Sequence, residues 1–269
     1  MLNDVIDKSD VILEVLDARD PLNCRSEEIE AKVSGQNKKL ILILNKVDLV
    51  PIEIVSKWAS FLKRSYPTII FKANTQQEIG GNTDIHLQTM NTVNMEKKKY
   101  MLESMLGSQK SIGGENLLQL LKNYCRKDDI KAAIIVGVIG YPNVGKSSLI
   151  NSLKRSHATA VSNTPGLTKC IQEVHLDKDI RLLDCPGVVF SRESSDSLIL
   201  RNVIKVEDLD DPYRPVDLLL KKASRDSILK LYQIPDFTST QEFLALISRK
   251  RGKLLKGGLP DYDLSLIHI

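Results

Sequence analysis

The sequence predicts an α/β fold, a mostly parallel sheet with helices on both faces, followed by a small helical domain. Three observations carry this. Short apolar runs rich in β-branched residues alternate with helix-period segments as far as about residue 190. One of those runs, 132–139, leads directly into a glycine-containing turn and a helix. Beyond Phe190 only helical periodicity remains.

The strands are expected at 11–16, 40–44, 68–71, 132–139, 171–176 and 180–183, each bounded by polar or turn residues. Between them, 52–62 follows Pro51, which suits a first helical turn, and 115–124 follows Gly113-Gly114. The stretch 75–110 breaks the rhythm with Gly80-Gly81, polar residues and Lys97-Lys-Lys99, and reads as a long flexible loop. Helices are expected at 197–203, 215–222, 225–231 and 240–251. The domains follow as 1–192 and 193–262, with 263–269 as an atypical tail.

A chain of 269 residues with 42% hydrophobic content can bury a full core. Its net charge of +4 is mild, but Arg249-Lys-Arg251, Lys253 and Lys256 form a locally basic stretch, so any nucleic-acid contact is local. The cysteines, Cys24, Cys125, Cys170 and Cys185, have neither CxxC spacing nor His-rich partners, which argues against a zinc site or a disulfide framework. No apolar run is long enough to cross a bilayer, and Met1-Leu-Asn-Asp lacks the pattern of a signal peptide. A soluble intracellular protein is expected.

Gly140-Tyr-Pro-Asn-Val-Gly-Lys-Ser147 fits G-x-x-x-x-G-K-[ST] between a strand and a helix. Backbone N–H groups around Gly140, Asn143, Val144, Gly145 and Ser148 can cradle phosphates, Lys146 offers a point charge, and Ser147 can ligate Mg2+. The loop alone does not choose the nucleotide. Asn45-Lys-Val-Asp48 ends a buried strand, where open α/β sheets place ligands. Asp48 can accept from the guanine N1–H and exocyclic amine, Asn45 can brace the phosphate loop, and the Lys46 stem can lie over the base. Taken alone, this tetrapeptide also fits a charged strand-to-helix turn. Paired with the phosphate loop, it points to GTP and GDP.

Asp184-Cys-Pro-Gly187 ends another strand and offers Asp184 to orient Mg2+ and the Gly187 N–H to the γ-phosphate. Thr168 is the expected second protein ligand to Mg2+, with Thr164 its competitor, because spacing does not separate them. The order of motifs is unusual. The guanine-type motif precedes the phosphate loop, so one common sheet requires a circularly permuted P-loop GTPase domain, a rearrangement that is cheap where termini lie close together.

The sequence resembles a circularly permuted GTPase of the nucleostemin group, related to bacterial ribosome-assembly GTPases of the same order. The resemblance rests on Asp17-Ala-Arg-Asp-Pro-Leu22, Leu44-Asn-Lys-Val-Asp-Leu-Val-Pro51, Phe71-Lys-Ala-Asn-Thr-Gln76, residues 140–151, Pro165-Gly-Leu-Thr-Lys169 and Asp184-Cys-Pro-Gly-Val188. Arg251-Gly-Lys-Leu-Leu-Lys-Gly-Gly258 resembles the family's C-terminal domain. The tail that ends in His268 does not resemble the helix with which the family continues.

The resemblance implies a base-contacting loop at Lys72, Ala73 and Asn74, although the family usually has serine at the last place. It brings Asp17-Ala-Arg-Asp20 near the nucleotide, a segment that reads equally as a strand end with Arg19 in a structural pair. Val188-Val189 stands where many GTPases carry a water-positioning glutamine. By resemblance some such GTPases use K+ held partly by a phosphate-loop asparagine, here Asn143. Slow hydrolysis, stimulated by potassium and by a partner, is therefore expected.

The resemblance further implies a nuclear and nucleolar protein, acting as a monomer on pre-ribosomal particles or rRNA through its basic C-terminal region, with protein partners. A solvated basic helix end is the bland alternative. Two other functions stay open. One is a GTP-gated interaction module with negligible turnover; the other is a kinase, which leaves Asn45-Lys-Val-Asp48 unexplained.

Overall fold

The computed structural model describes residues 2–73, 112–127, 130–131, 133–154, 171–187 and 213–252. The expectations for 75–110, 197–203 and the tail lie outside these residues. The chain divides into two compact units, Met1–Phe190 and Ser191–Ile269.

The first unit is built on a six-stranded sheet. Its strands are β1 (Val11–Asp17), β2 (Lys39–Asn45), β3 (Thr68–Ile70), β6 (Ile134–Ile139), β7 (Gln172–Asp177) and β8 (Ile180–Asp184), in the order β3-β2-β1-β6-β8-β7. All neighbours are parallel except β7, which runs antiparallel along the edge. A short antiparallel hairpin, β4 (Arg126–Lys127) with β5 (Ile130–Lys131), lies apart from the sheet. Every residue of β1 is buried, which requires cover on both faces because successive side chains alternate.

Among the described residues of this unit, five helices occur: α1 (Leu2–Lys8), α2 (Glu27–Gly35), α3 (Ile52–Leu62), α4 (Gly114–Tyr124) and α5 (Lys146–Lys154). Val5 and Ile6 of α1 and Ile29 and Val33 of α2 join Ile12, Leu40, Ile139 and Leu183 of the sheet in one apolar cluster. Helix α2 begins at Ser26, whose hydroxyl accepts from the Ile29 N–H, and Glu27 and Glu28 complement the helix dipole. Helices α1 and α2 and the β4–β5 hairpin were not anticipated. Helix α2 buries few apolar residues, so its period is faint, yet the serine cap and acidic first turn were readable.

The second unit contains α6 (Tyr213–Lys222), α7 (Arg225–Tyr232) and α8 (Thr240–Lys250). They surround Val216, Ile228, Ile234, Phe237, Phe243, Leu244 and Ile247. Phe243 is fully buried and meets Tyr232 edge-on and Phe237 at a tilt. Ser239 caps α8 by accepting from the Glu242 N–H. Within the described residues, the helical periodicity has become a small core of its own.

Candidate nucleotide site

Parallel register sets the site. Asp17 at the end of β1 stands opposite Asn45 at the end of β2, and Val138 of β6 stands opposite Asp184 at the end of β8. The carboxyl ends of four strands therefore meet along one edge, where an open α/β sheet presents its ligand.

From β6 the chain turns at Gly140 into the phosphate loop and then into α5 at Lys146. Asn143 has φ 59°, in the left-handed region, and Gly145 has φ 97°. A Cβ on Gly145 would lie 2.3 Å from Asn45 Nδ2, so only glycine admits that side chain. Asn45 is buried and its amide donates to the Val144 carbonyl at 2.8 Å across a separation of 99 residues. This bond ties the end of β2 to the phosphate loop. The Asn45 Oδ1 lacks a hydrogen-bond partner, as does Oδ1 of Asp184.

Lys46 also has a left-handed backbone, φ 59°, which turns its side chain back toward the sheet. Its ammonium donates to the Asn143 carbonyl and pairs with Asp17 Oδ2 at 3.0 Å. Asp48 follows in a 3-10 turn, Val47–Leu49, and is exposed. The backbone of Phe71 hydrogen-bonds Leu44, continuing the line of β3 beside β2. Lys72 is buried and bridges to Ile112 through both backbone groups, and Ala73 follows it. Asn74 lies outside the described residues.

Lys146 is buried and its ammonium donates to the carbonyls of Gly140 at 3.0 Å and Tyr141 at 2.7 Å. Burial brings its pKa down to about 8, against the opposing attraction of Asp184. Ser147 donates its hydroxyl to Asp184 Oδ2 at 2.9 Å, and Ser148 sits in the first turn of α5. Burial raises the Asp184 pKa, while the Ser147 hydrogen bond and the Lys146 charge oppose that rise. Gly187 packs against Pro142 so closely that a Cβ there would approach its backbone to 2.7 Å. The third motif is thereby seated directly on the phosphate loop.

Two hard oxygens, one hydroxyl and one buried carboxylate with an unpartnered atom, suit Mg2+. No group of three or more His, Cys, Asp or Glu side chains able to hold a metal occurs among the described residues. Such an ion would need its remaining ligands from phosphate, water or residues outside this set. Thr168, Thr164, Val188 and Val189 lie outside the described residues. Cys24, Cys125 and Cys185 are buried, and no described helix is long and apolar enough to cross a membrane.

A phosphate loop braced by an Asn-Lys-x-Asp turn that comes earlier in the chain defines a circularly permuted P-loop GTPase domain. The family model described as "50S ribosome-binding GTPase" matches residues 135–246. The chain is 48% identical to the guanine nucleotide-binding protein-like NSN1 of Arabidopsis thaliana, over 96% of this chain and 44% of that protein. It is 39% identical to the human guanine nucleotide-binding protein-like 3, over 97% of this chain and 46% of that protein. With the nuclear GTP-binding protein NUG1 of Saccharomyces cerevisiae the identity is 38%, over 96% and 50%.

Among solved structures, GDP-bound YlqF superposes with a TM-score of 0.61 at 23% identity, over 99% of this chain and 90% of that one. Thus the chain belongs to the nucleostemin-like family of circularly permuted GTPases. It spans about half the length of these curated relatives, or slightly less.

Proposed function

We propose that this chain binds GTP and GDP, hydrolyses GTP slowly, and acts in assembly of the large ribosomal subunit. The observation that carries the reading is the brace between the two motifs, Asn45 on Val144 and Lys46 on Asn143. It joins a guanine-selecting turn to a phosphate cradle, a combination that a kinase does not need.

In this reading Asp48 accepts from the guanine edge and the Lys46 stem covers the base face. Backbone N–H groups at Lys72, Ala73 and Asn74 meet the guanine carbonyl oxygen. The phosphate loop and the N-terminus of α5 hold the phosphates, with Lys146 exchanging its loop carbonyls for phosphate oxygens. Ser147 and Asp184 would hold Mg2+, with Thr168 or Thr164 as the further protein ligand. Bound there, the metal would supply charge neutralisation at the phosphates. The Gly187 N–H, held against the loop by its contact with Pro142, reports the γ-phosphate.

Val188 offers no group to orient water, so intrinsic turnover is slow. Asn143 would help hold K+ at the phosphate loop, and such an ion would supply positive charge to the developing transition state, as an arginine finger does. Ribosomal work is supported by the wording of the matching family model, and a nuclear setting by the name of the yeast relative, the nucleolus following from the family resemblance alone. The basic segment from Arg249 is the surface offered to rRNA, with phosphate neutralisation as its chemistry.

The test has two parts. A fluorescent GDP analogue is expected to bind and to be displaced by GTP but not by excess ATP; displacement by ATP sinks the guanine assignment. Single-turnover hydrolysis is expected to be faster in potassium than in sodium buffer, and equal rates remove the cation role. Val188 also favours a second reading, in which GTP occupancy gates partner binding without turnover. Stimulation of hydrolysis by large-subunit precursor particles supports the enzyme; GTP-dependent binding with negligible turnover supports the gate.

A further inference from the structure

Asp17 lies on the edge where the nucleotide motifs converge, yet the reading above gives it no task. Its position follows from register, since it ends β1 opposite Asn45, the first residue of the guanine-type motif. The side chain is buried except for a tenth of its surface. Its Oδ1 accepts from the Arg19 N–H and Nε at 3.0 Å each, and its Oδ2 accepts from Arg19 Nη2 at 2.7 Å and pairs with Lys46 Nζ at 3.0 Å.

Arg19 is the outer member, with nearly half of its side chain exposed, whereas Lys46 is the inner one. The two contacts of Lys46 act as a clamp. One end is Asp17 on β1 and the other is the Asn143 carbonyl in the phosphate loop, 97 residues further along the chain than Lys46. A lysine ammonium on a four-carbon stem has many rotamers, and fixing the head fixes the line of the stem.

We propose that Asp17 is a positioning residue for guanine-nucleotide recognition: its carboxylate locks the Lys46 ammonium and so sets the apolar stem where the base stacks. Arg19 orients the Asp17 carboxylate by its bidentate bond, which turns the structural pair into a support for the site. The inference rests on the guanine-binding reading above and adds to it a residue outside the nucleotide motifs.

The test is a double-mutant cycle on GDP affinity in the whole chain, using Asp17→Asn, Lys46→Met and the two together. Asp17→Asn keeps the shape and removes the charge, and is expected to weaken GDP about tenfold, the loss of one charge-assisted contact. In the Lys46→Met background the same change is expected to have almost no effect. An equal loss in both backgrounds overturns the proposal, because a merely structural aspartate acts whether or not Lys46 is present. Failure of the unaltered chain to bind GDP overturns the function reading and this proposal together, and so is distinct from failure of the cycle. Should Asp17→Asn not fold, the Lys46 ammonium of the unaltered chain is observed directly by nitrogen-detected NMR: a signal protected from exchange supports the clamp, and rapid exchange overturns it.

Discussion

Glu14 is a carboxylate in the middle of a buried central strand, only 1% exposed. One oxygen accepts from the Ser26 N–H at 3.0 Å, and the other has no hydrogen-bond partner. Burial, then repulsion from Glu30, raises its pKa from 4.5 to about 8. Arg25 holds Glu30 through two 2.6 Å bonds, so Glu30 keeps the cation that Glu14 would need. The folded chain retains a proton that the unfolded chain releases between about pH 4.5 and about pH 8. Stability from this group therefore falls as pH rises through that window. Glu14→Gln is expected to raise stability at pH 8 by roughly 1–3 kcal/mol and to flatten the pH dependence across the window. Urea unfolding at several pH values measures both; a variant that loses as much stability as the parent between pH 5 and pH 8 counts against it. Asp17 shows the opposite direction. Burial pushes its pKa up, but hydrogen bonds from Arg19 and the charge of Lys46 outweigh burial and hold it below the ordinary carboxylate value.

At the scale of elements, this buried carboxylate ties helix α2 to the sheet. Ser26 presents its hydroxyl to the Ile29 N–H and its own N–H to Glu14, so one residue starts the helix and anchors it to β1. Ser26→Ala removes only the cap and is expected to cost about 1 kcal/mol in urea unfolding, with Glu14 still served by the backbone. No measurable loss would mean that packing of Ile29 and Val33 alone holds α2. The strands were legible because each is a short β-branched run ended by a turn residue, and Thr68–Ile70 and Ile180–Asp184 fell close to their expected bounds. Helix α3 agreed at both ends because Pro51 marks its start. Helix α1 is different: seven residues with Val5 and Ile6 as its buried pair carry too little periodicity to stand out from a loop.

For the whole molecule, the two units have separate apolar clusters, and the second is centred on Phe243. Phe243→Ala is expected to destabilise the helical unit by about 3–5 kcal/mol while leaving GDP affinity unchanged. Calorimetry paired with a GDP titration checks this, and a parallel loss of nucleotide binding would show that the units do not fold independently. Reversed motif order, the feature that set the family expectation, is also a property of this scale. The sheet places the ends of β1, β2, β6 and β8 together regardless of which comes first in the chain, since strand register depends on neighbours and not on connectivity.

The sequence alone determined the six strands of the sheet, helices α3 to α8, the phosphate loop, the Asn-Lys-x-Asp turn and their permuted order, because these depend on local periodicity and fixed spacings within a few residues. It could not choose between the two readings of Asp17-Ala-Arg-Asp20, and it gave no sign of the raised pKa of Glu14. Tertiary structure supplied the Arg19–Asp17 pair and the burial of Glu14. The Asn45–Val144 and Lys46–Asn143 bonds join residues about a hundred positions apart, and the Glu14 environment is made by α2 folding back on β1. Burial and the distance between charges fix a side chain's energy, and both exist only once the sheet has brought its strand ends together.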